Sequence, residues 1–189
     1  MVLTVHHLQI SQSDRIVWLC EELGIDYKLV LHTRSPLLAP DSLKNVPGNK
    51  TGKAPFISDS SNGVQLSETG AIAQYIIAKY GNGKFSKQPE DAAFADYLYW
   101  FHFANSTLVA DSVTSMFLSL SSGPPDEMPK QLAETRLQDD LKFLDQRLSE
   151  NKWLAGSDFT AADIMVTWPV TGTYIIYSDA GTGPAPESS

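Results

Sequence analysis

The chain has few of the residues on which several common kinds of site depend. Its 189 residues include one cysteine, Cys20, which excludes an internal disulfide and a cluster of thiolate metal ligands. We interpret Cys20 as a buried apolar residue. Basic residues are also scarce, with 14 Lys and Arg against 22 Asp and Glu and a net charge of −8. Because nucleic-acid binding needs clustered Lys and Arg, this charge argues against a nucleic-acid partner.

Other kinds of site are missing as well. His6 and His7 lie on a predicted strand, while His32 and His102 are remote and lack acidic partners at a metal-binding spacing, so we expect no metal site. The sequence contains neither a glycine-rich phosphate loop nor a nucleophile elbow. Its first residues do not show the charged start and long apolar run of a secretion signal, and no stretch is apolar for long enough to cross a bilayer. We therefore expect a cytoplasmic protein with no membrane partner.

The first half of the chain alternates strand and helix patterns. β-Branched and apolar residues indicate strands at 3–8, 27–31, 56–57 and 64–66, with Asn62-Gly63 as the hairpin turn between the last two. Apolar residues at helical spacing indicate one helix after Ser13, a candidate helix cap, and another around 72–80. The order βαβ followed by ββα predicts an α/β domain, a mixed sheet with helices on its faces.

The strand patterns stop after Gly83. A polar segment at 84–90 indicates a linker, so we predict one domain over 1–83 and an all-helical domain over 91–189. The first long helix is dense in aromatic residues around 97–108, which either form an interhelical core or line a hydrophobic pocket. Further along, Thr160 and Asp163 have the spacing of a capping box, in which a hydroxyl and an acid bond unpaired helix amides.

Two short motifs of the first domain point to a ligand. Ala54-Pro55 lies where a strand begins, so the X-Pro bond can be cis and the Ala54 amide and carbonyl can pair with an extended ligand. Glu68 and Thr69 open a helix, whose N-terminus favours a carboxylate, and Glu68 can also bind an ammonium. Together the motifs describe a pocket for a small peptide-like ligand. Taken singly, each also fits an ordinary surface turn or helix cap.

Four motifs, in order along the chain, carry a family resemblance. They are Ser11–Val17, Gly52–Pro55, Leu66–Ile72 and Phe159–Ile164. This series resembles the glutathione S-transferases, whose N-terminal domain is thioredoxin-like and whose C-terminal domain is all helical. The segment 97–106 is similar to the long helix of fungal and bacterial members close to the theta and phi types. The resemblance covers the chain to about Val170.

The resemblance implies an enzyme that conjugates the thiolate of glutathione to hydrophobic electrophiles, a detoxification reaction. Glutathione would be the co-substrate, with no other cofactor, and peroxide reduction would be a possible side activity. A homodimer is implied as well. The alternative is a non-catalytic glutathione-binding or regulatory protein, because a fold does not fix an activity. A thioredoxin-type redox enzyme is disfavoured, because no cysteine lies near Ser11.

A transferase of this family must ionise a thiol whose ordinary pKa is about 8.5. A hydroxyl at the start of a helix can lower that pKa through a hydrogen bond and the helix dipole. In the family's serine-type members this hydroxyl lies four positions before an arginine, a spacing that Ser11 and Arg15 reproduce. The resemblance thus implies Ser11 as the thiolate donor. Ser13 is the second candidate, or a simple helix cap, and Arg15 has a structural or local electrostatic role at the site.

The resemblance also implies contacts to the rest of the tripeptide. Lys53 would contact the glycyl carboxylate, and Ala54, beside Pro55, would pair with the cysteinyl backbone. Glu68 and Thr69 would hold the γ-glutamyl end. Thr69 replaces a serine that is more usual in the family, a change that keeps the hydroxyl.

Two parts of the chain depart from the family pattern. The loop at 46–51 carries two extra residues, and Asn49 and Lys50 remain candidate ligand contacts within it. Beyond Thr171 the family usually continues through further helices, whereas this sequence becomes β-branched and aromatic and then polar over 181–189. We therefore expect a helical domain that is shortened after about Thr171 and ends in a disordered tail.

Overall fold

The computed structural model of the chain describes residues 2–35 and 38–179, with side chains described as far as Gly172. An N-terminal unit ends at Pro89, and a C-terminal unit begins at Glu90. The tail predicted at 181–189 lies outside the described residues. Across the described part, no helix combines the length and the apolar character that a membrane span requires.

A four-stranded sheet forms the centre of the N-terminal unit, in the order β2-β1-β3-β4. The strands are β1 (Leu3–Leu8), β2 (Tyr27–His32), β3 (Phe56–Asp59) and β4 (Val64–Ser67). β2 runs parallel to β1, whereas β3 runs antiparallel to both β1 and β4. The predicted mixed sheet, with its hairpin between β3 and β4, is confirmed.

Three helices complete the N-terminal unit: α1 (Asp14–Leu23), α2 (Asp41–Lys44) and α3 (Thr69–Lys79). α1 packs against β1 and α3, and α3 packs against β3 and β4. Gly24 ends α1 with φ of 65°, a left-handed conformation that glycine adopts without steric cost. Cys20 is fully buried in α1, and burial raises the pKa of its thiol to about 12, so it is the inert apolar residue that the sequence indicates.

A buried carboxylate joins the β3–β4 hairpin to α3. Asp59, at the end of β3, accepts hydrogen bonds from the phenols of Tyr75 and Tyr80 and from the amide and hydroxyl of Ser61. Burial acts to raise the pKa of Asp59, but these hydrogen bonds outweigh it and hold the pKa well below its ordinary value. The ionised carboxylate thereby fixes the end of the sheet to the C-terminal half of α3.

The described part of the C-terminal unit is helical. Its helices are α4 (Phe94–His102), α5 (Val109–Ser119), α6 (Met128–Glu150) and α7 (Ala161–Asp179), and a π-helical segment, Phe103–Leu108, joins α4 to α5. α5 packs on α6, and α7 packs on α4 and α5. Helix α7 continues past Thr171 to Asp179, further than the sequence pattern indicates. β-Branched residues lower helix propensity by less than about 1 kcal/mol each, too little to end an established helix.

The aromatic residues of α4 and the π-helical segment pack as an interhelical core. The rings of Trp100 and Phe103 are buried. Phe143 of α6 stacks on Trp100 with ring centroids 5.0 Å apart and lies 5.7 Å from Phe103. Tyr99 stacks on Phe103 at 6.0 Å and covers the outside of the cluster. The sequence left open whether these aromatic residues form an interhelical core or line a hydrophobic pocket, and their packing agrees with an interhelical core.

The predicted capping box begins α7 in a modified form. The Asp163 carboxylate accepts hydrogen bonds from the amides of Thr160 and Leu154, each at 2.8 Å. The Thr160 hydroxyl donates to the same carboxylate at 3.1 Å. The acid half of the box is therefore present, while the hydroxyl half is not. Asp is one methylene shorter than the usual Glu and stays close to the hydroxyl, which pairs with it instead of with a helix amide.

Two carboxyl groups lie close together where α5 packs on α6. Arg136 donates to Asp111 at 3.2 Å. The Oδ2 atom of Asp140 is buried and has no hydrogen-bond partner among the residues that the structure describes. Burial, and then the neighbouring Asp111, raises the pKa of Asp140 to about 6. A proton on Asp140 supplies a hydrogen-bond donor between the two carboxyl groups.

We expect Asp140→Asn to raise the free energy of unfolding at pH 7 and to change it little near pH 4. The pKa of Asp140 is raised from 3.8 in the folded chain, so between these two values the folded chain keeps a proton that the unfolded chain has lost. The stability that this proton provides is fully present below about pH 4 and is lost as the pH rises toward 6. Asparagine supplies a donor at every pH.

Chemical denaturation at the two pH values measures this effect. The exposed neighbour Asp139 provides the matched control, since Asp139→Asn changes charge equally on the same helix. The assignment of a raised pKa to Asp140 would be contradicted if Asp140→Asn raised the free energy of unfolding as much at pH 4 as at pH 7. An equal rise in Asp139→Asn would contradict it as well.

Candidate functional site

One edge of the N-terminal sheet brings the predicted ligand motifs together. β1 ends at this edge and leads to Ser11. The antiparallel β3 begins there at Phe56, directly after Pro55. β4 ends there with Ser67 opposite Phe56, and α3 then begins at Thr69. The sheet topology therefore places three motifs, distant in sequence, at one end of the fold.

The peptide bond between Ala54 and Pro55 is cis. Pro55 is buried at the entrance to β3, and Ala54, just before the strand, is half-buried. Because proline has no amide proton, the ladder loses nothing by beginning at Phe56. The predicted position of this motif at the start of a strand is confirmed, and Ala54 lies at the sheet edge that carries the other motifs.

The start of α3 has an unusual backbone conformation. Glu68, the residue before α3, has φ of 76°, in the left-handed region that side chains rarely adopt. Its carbonyl accepts the amide of Ile72 at 2.9 Å, while its exposed side chain does not cap the helix. Such conformations cost about 1–3 kcal/mol and persist where the surroundings hold them. Glu68 thus presents its carboxylate to solvent beside the N-terminus of α3, where Thr69 is 5% exposed.

The two serines after β1 form a pair of hydroxyls. Ser11 Oγ lies 2.6 Å from Ser13 Oγ and accepts the Ser13 amide at 3.2 Å. The Ser13 hydroxyl also contacts His7 Nδ1 at 2.8 Å and the backbone of Leu8. Ser13 occupies the N-cap position of α1 but forms no side-chain cap bond. The prediction of Ser13 as a helix cap is wrong, because its hydroxyl turns back toward β1.

The two serines differ in how deeply they are buried. Ser13 is 0% exposed and its oxygen is surrounded by His7, Leu8 and Ser11, whereas Ser11 is 5% exposed. Of the two residues, Ser11 is the one with some exposed surface. A thiol donor must touch its ligand, so the geometry favours Ser11 over Ser13.

Arg15 lies inside the unit. It is 1% exposed and fully packed in the first turn of α1. Its guanidinium donates to the Gln12 carbonyl at 3.3 Å and to the Gln12 side-chain oxygen at 2.5 Å. Burial lowers the pKa of Arg15 to about 10. These contacts hold the turn between Ser11 and α1, which is the structural role considered from the sequence, and they do not place Arg15 on a ligand-facing surface.

The loop before the cis peptide bond is organised by Asn49. Its buried side-chain amide donates to the carbonyls of Leu43 and Lys53, at 3.3 and 3.0 Å, and its oxygen accepts the Thr51 hydroxyl. Because these groups are used within the loop, Asn49 shapes the backbone that leads to Lys53. Lys50 and Lys53 are exposed, so their ammonium groups can reach an anionic ligand.

Sequence reasoning missed the residues that hold the Ser11 loop in place. Arg34 donates to the carbonyls of Gln9 and Ile10, at 2.9 and 2.7 Å. Ile10 has φ of 48°, and no feature of its residue type predicts that conformation. One cue was available: β1 and β2 are parallel neighbours, so the residues that follow them emerge at the same sheet edge.

Within the described part of the chain, no group of three or more His, Cys, Asp or Glu residues lies close enough together to hold a metal ion.

Family models match both units of the chain. Residues 5–84 match the model of the glutathione S-transferase N-terminal domain. Residues 109–187 match the model of the glutathione S-transferase C-terminal domain. The two matches follow one another in the order that this family has and together span most of the chain.

Individual proteins show the same similarity. The chain is 29% identical to glutathione S-transferase 3 of Schizosaccharomyces pombe over 183 residues, covering 89% of this chain and 73% of that protein. The chain is also similar to a crystal structure of a glutathione S-transferase from Actinobacillus pleuropneumoniae, with a TM-score of 0.80 and 25% identity. The match covers 95% of this chain and 81% of that protein. A transferase of Phanerochaete chrysosporium, crystallised with oxidized glutathione, has a TM-score of 0.74 at 21% identity and covers 90% and 78%.

Proposed function

Because this chain belongs to the glutathione S-transferase family and is a glutathione transferase, we propose that it binds glutathione at the sheet edge described above and conjugates the glutathione thiolate to hydrophobic electrophiles. Ser11 donates a hydrogen bond to the sulfur and so lowers the pKa of the thiol, whose proton leaves to solvent. The observation that carries this proposal is the position of Ser11, the member of the serine pair with some exposed surface, just before α1 and at the same sheet edge as Ala54 and Thr69.

The energy needed to ionise the thiol is within reach of these groups. Lowering a thiol pKa from about 8.5 to near 6.5 requires about 2.7 kcal/mol of selective thiolate stabilisation. A hydrogen bond to a charged group contributes about 1.5–3 kcal/mol. The N-terminus of a helix such as α1 contributes about 0.3–1 kcal/mol more. The Ser11 hydroxyl and α1 together are therefore sufficient, and the thiolate they stabilise is the nucleophile that attacks the electrophile.

The rest of the tripeptide occupies the same edge. The exposed ammonium of Lys53 pairs with the glycyl carboxylate, and the Ala54 backbone pairs with the cysteinyl residue. At the γ-glutamyl end, the Glu68 carboxylate binds the ammonium, and the Thr69 hydroxyl with the N-terminus of α3 binds the carboxylate. The oxidized glutathione held by the Phanerochaete chrysosporium transferase, which shares this fold, supports a site for a tripeptide.

Several wider features belong to the proposal. The N-terminal unit is the glutathione-binding domain and the C-terminal unit the helical domain. Glutathione is a co-substrate and no further cofactor takes part. The enzyme is a cytoplasmic homodimer that acts in detoxification, in the compartment where glutathione is kept reduced. Peroxide reduction by the same thiolate is its side activity.

Thr69→Val is expected to weaken glutathione binding about tenfold, because it removes one hydrogen bond to a charged group while keeping the shape of the side chain. Isothermal titration calorimetry measures the dissociation constant directly. Thr135→Val is the matched control: the Thr135 hydroxyl bonds the Gln131 carbonyl within exposed α6, so this variant should bind like the unmodified chain. Equal affinities for all three proteins would remove Thr69 from the site.

Calorimetry and turnover together test the proposed function. We expect the unmodified chain to bind glutathione and to conjugate it to a generic aromatic electrophile. Binding without turnover would support a glutathione-binding protein and contradict the proposed reaction. Absence of binding to a folded sample would contradict the site as a whole.

A further inference from the structure

We propose that His7 is a positioning residue that turns the proton of the Ser11 hydroxyl toward the bound thiolate, acting through Ser13. This inference rests on the proposed role of Ser11. It assigns a function to a histidine of β1 that does not itself touch the ligand.

Short contacts link the three side chains in a row. His7 Nδ1 lies 2.8 Å from Ser13 Oγ, which lies 2.6 Å from Ser11 Oγ. Two backbone amides join the row: that of Leu8 donates to Ser13 Oγ at 3.1 Å, and that of Ser13 donates to Ser11 Oγ at 3.2 Å. Ser13, the central member of the row, is fully buried, Ser11 is 5% exposed and His7 is half-buried.

The number of protons and lone pairs on Ser13 decides the direction of these bonds. A hydroxyl donates one proton and accepts at two lone pairs, and the Leu8 amide occupies one lone pair. When His7 carries a proton on Nδ1, it donates to Ser13 and fills the second lone pair. Ser13 must then donate its own proton, and Ser11 at 2.6 Å is a closer acceptor than the Leu8 carbonyl at 3.3 Å.

Ser11 then accepts two hydrogen bonds, from the hydroxyl and from the amide of Ser13. Both of its lone pairs are occupied, so its own proton must point away from Ser13 and is available to a ligand. This is the arrangement that stabilises a thiolate. It arises whenever Nδ1 of His7 is protonated, in the neutral Nδ1–H tautomer or in the imidazolium.

The other neutral tautomer has the opposite effect. With its proton on Nε2, His7 accepts from Ser13 through Nδ1, and one lone pair of Ser13 stays open. The Ser11 hydroxyl, 2.6 Å away, then donates inward to that lone pair. Its proton is no longer available to a thiolate. The position of one proton on the His7 ring therefore decides whether the Ser11 hydroxyl can donate to a thiolate.

The charges around His7 determine which form is favoured. Asp14 of α1 faces its Nε2 at 3.5 Å, and Arg34 acts on that same Asp14. On the β2 side, His32 and His7 disfavour each other's positive charge. Burial lowers the pKa of His7, and Asp14 acts in the opposite direction. In the neutral ring, Asp14 favours a proton on Nε2. A thiolate in front of Ser11 favours Nδ1 protonation instead, and the imidazolium satisfies Ser13 and Asp14 at once, so glutathione binding and Nδ1 protonation favour each other.

His7→Phe tests the relay through the ionisation of the bound thiol, followed by the ultraviolet absorbance of the thiolate as a function of pH. We expect the variant to raise the pKa of the bound thiol and to lower turnover about tenfold at neutral pH, while glutathione affinity at low pH, where the thiol is protonated, stays unchanged. The difference in turnover between the variant and the unmodified chain should disappear at a pH above the raised thiol pKa, where the thiol is ionised in both proteins. A merely structural defect would lower turnover at every pH.

His6→Phe is the matched control. His6 is the neighbouring histidine of β1, and its Nδ1 lies 3.1 Å from His32 Nε2, outside the serine pair. We expect this variant to keep the thiol pKa of the unmodified chain. An equal shift in both variants would overturn the relay.

Nitrogen NMR of the unmodified chain, with labelled histidine, reads the tautomer without any substitution. We expect Nδ1 of His7 to carry a proton in the glutathione complex, and an unprotonated Nδ1 there would overturn the relay even if His7→Phe failed to fold. Ser11→Ala separates the two proposals. A raised thiol pKa in Ser11→Ala with no change in His7→Phe would overturn the relay alone, whereas no change in Ser11→Ala would overturn the role of Ser11 and the relay with it.

Discussion

Replacing Ser11 with alanine is expected to lower turnover with an aromatic electrophile at neutral pH about 10- to 100-fold. The variant removes the hydroxyl that donates to the thiolate, and a hydrogen bond to a charged group is the largest single contribution available at this site. The pKa of the bound thiol should rise by a corresponding amount. Because the rest of the tripeptide is held by other residues, glutathione affinity at low pH, where the thiol is protonated, should change little.

Ser149→Ala is the control for this experiment. Its hydroxyl bonds the Gln146 carbonyl on the exposed surface of α6, so the variant makes the same chemical change away from the sheet edge. Turnover in Ser11→Ala equal to that of the control would remove Ser11 from the reaction. Circular dichroism must show that both variants are folded before their turnover is compared.

Asp163→Ala is expected to lower the free energy of unfolding of the C-terminal unit by about 3 kcal/mol or more. The substitution removes the acceptor of two buried amides, those of Leu154 and Thr160, and of the Thr160 hydroxyl. A buried donor left without a partner costs about 1–3 kcal/mol. Denaturant unfolding followed by the fluorescence of Trp153, Trp168 and the other tryptophans measures the change.

Asp145→Ala on the exposed face of α6 is the matched control, and surface substitutions of this kind change stability by about 0.5 kcal/mol or less. If Asp163→Ala were no more destabilising than Asp145→Ala, the hydrogen bonds of the modified capping box would not stabilise α7.

Most of the fold could be predicted from local patterns. Alternating residue types indicate the strands, and Asn62-Gly63 identifies the hairpin turn that joins β3 to β4. Proline at position 55 indicates a strand entrance because it cannot donate to a ladder, and the structure has the cis bond and β3 at that point. These signals depend on a residue and its immediate neighbours, which is why one sequence is enough to read them.

The directions of polar side chains could not be predicted in the same way. Ser13 has the residue type and the position of a helix cap, yet its hydroxyl turns to His7 and Ser11, since the end of β1 supplies partners that are visible only in the folded chain. Asn49 is a residue type that often contacts ligands, and its amide donates to the backbone of its own loop, a bond that the residue type alone does not predict. In both cases the path of the folded backbone decides which hydrogen bond forms.

The extent of α7 illustrates a different limit. Its later residues include several β-branched and aromatic side chains, which weaken a helix pattern, but the helix continues to Asp179. The helical propensities of β-branched and aromatic residues are less than about 1 kcal/mol below that of alanine, and an established helix is prolonged through them at little cost. Patterns of residue type are therefore a weak guide to where a long helix ends.

The pKa of the glutathione thiol in complex with the unmodified chain is the most direct single measurement of the proposed chemistry. If Ser11 and the N-terminus of α1 stabilise the thiolate, titration of its ultraviolet absorbance should give a value at least about 1 below the ordinary thiol pKa of about 8.5. A bound thiol that titrates at the ordinary value would contradict thiolate stabilisation at this sheet edge, and with it the catalytic role of Ser11.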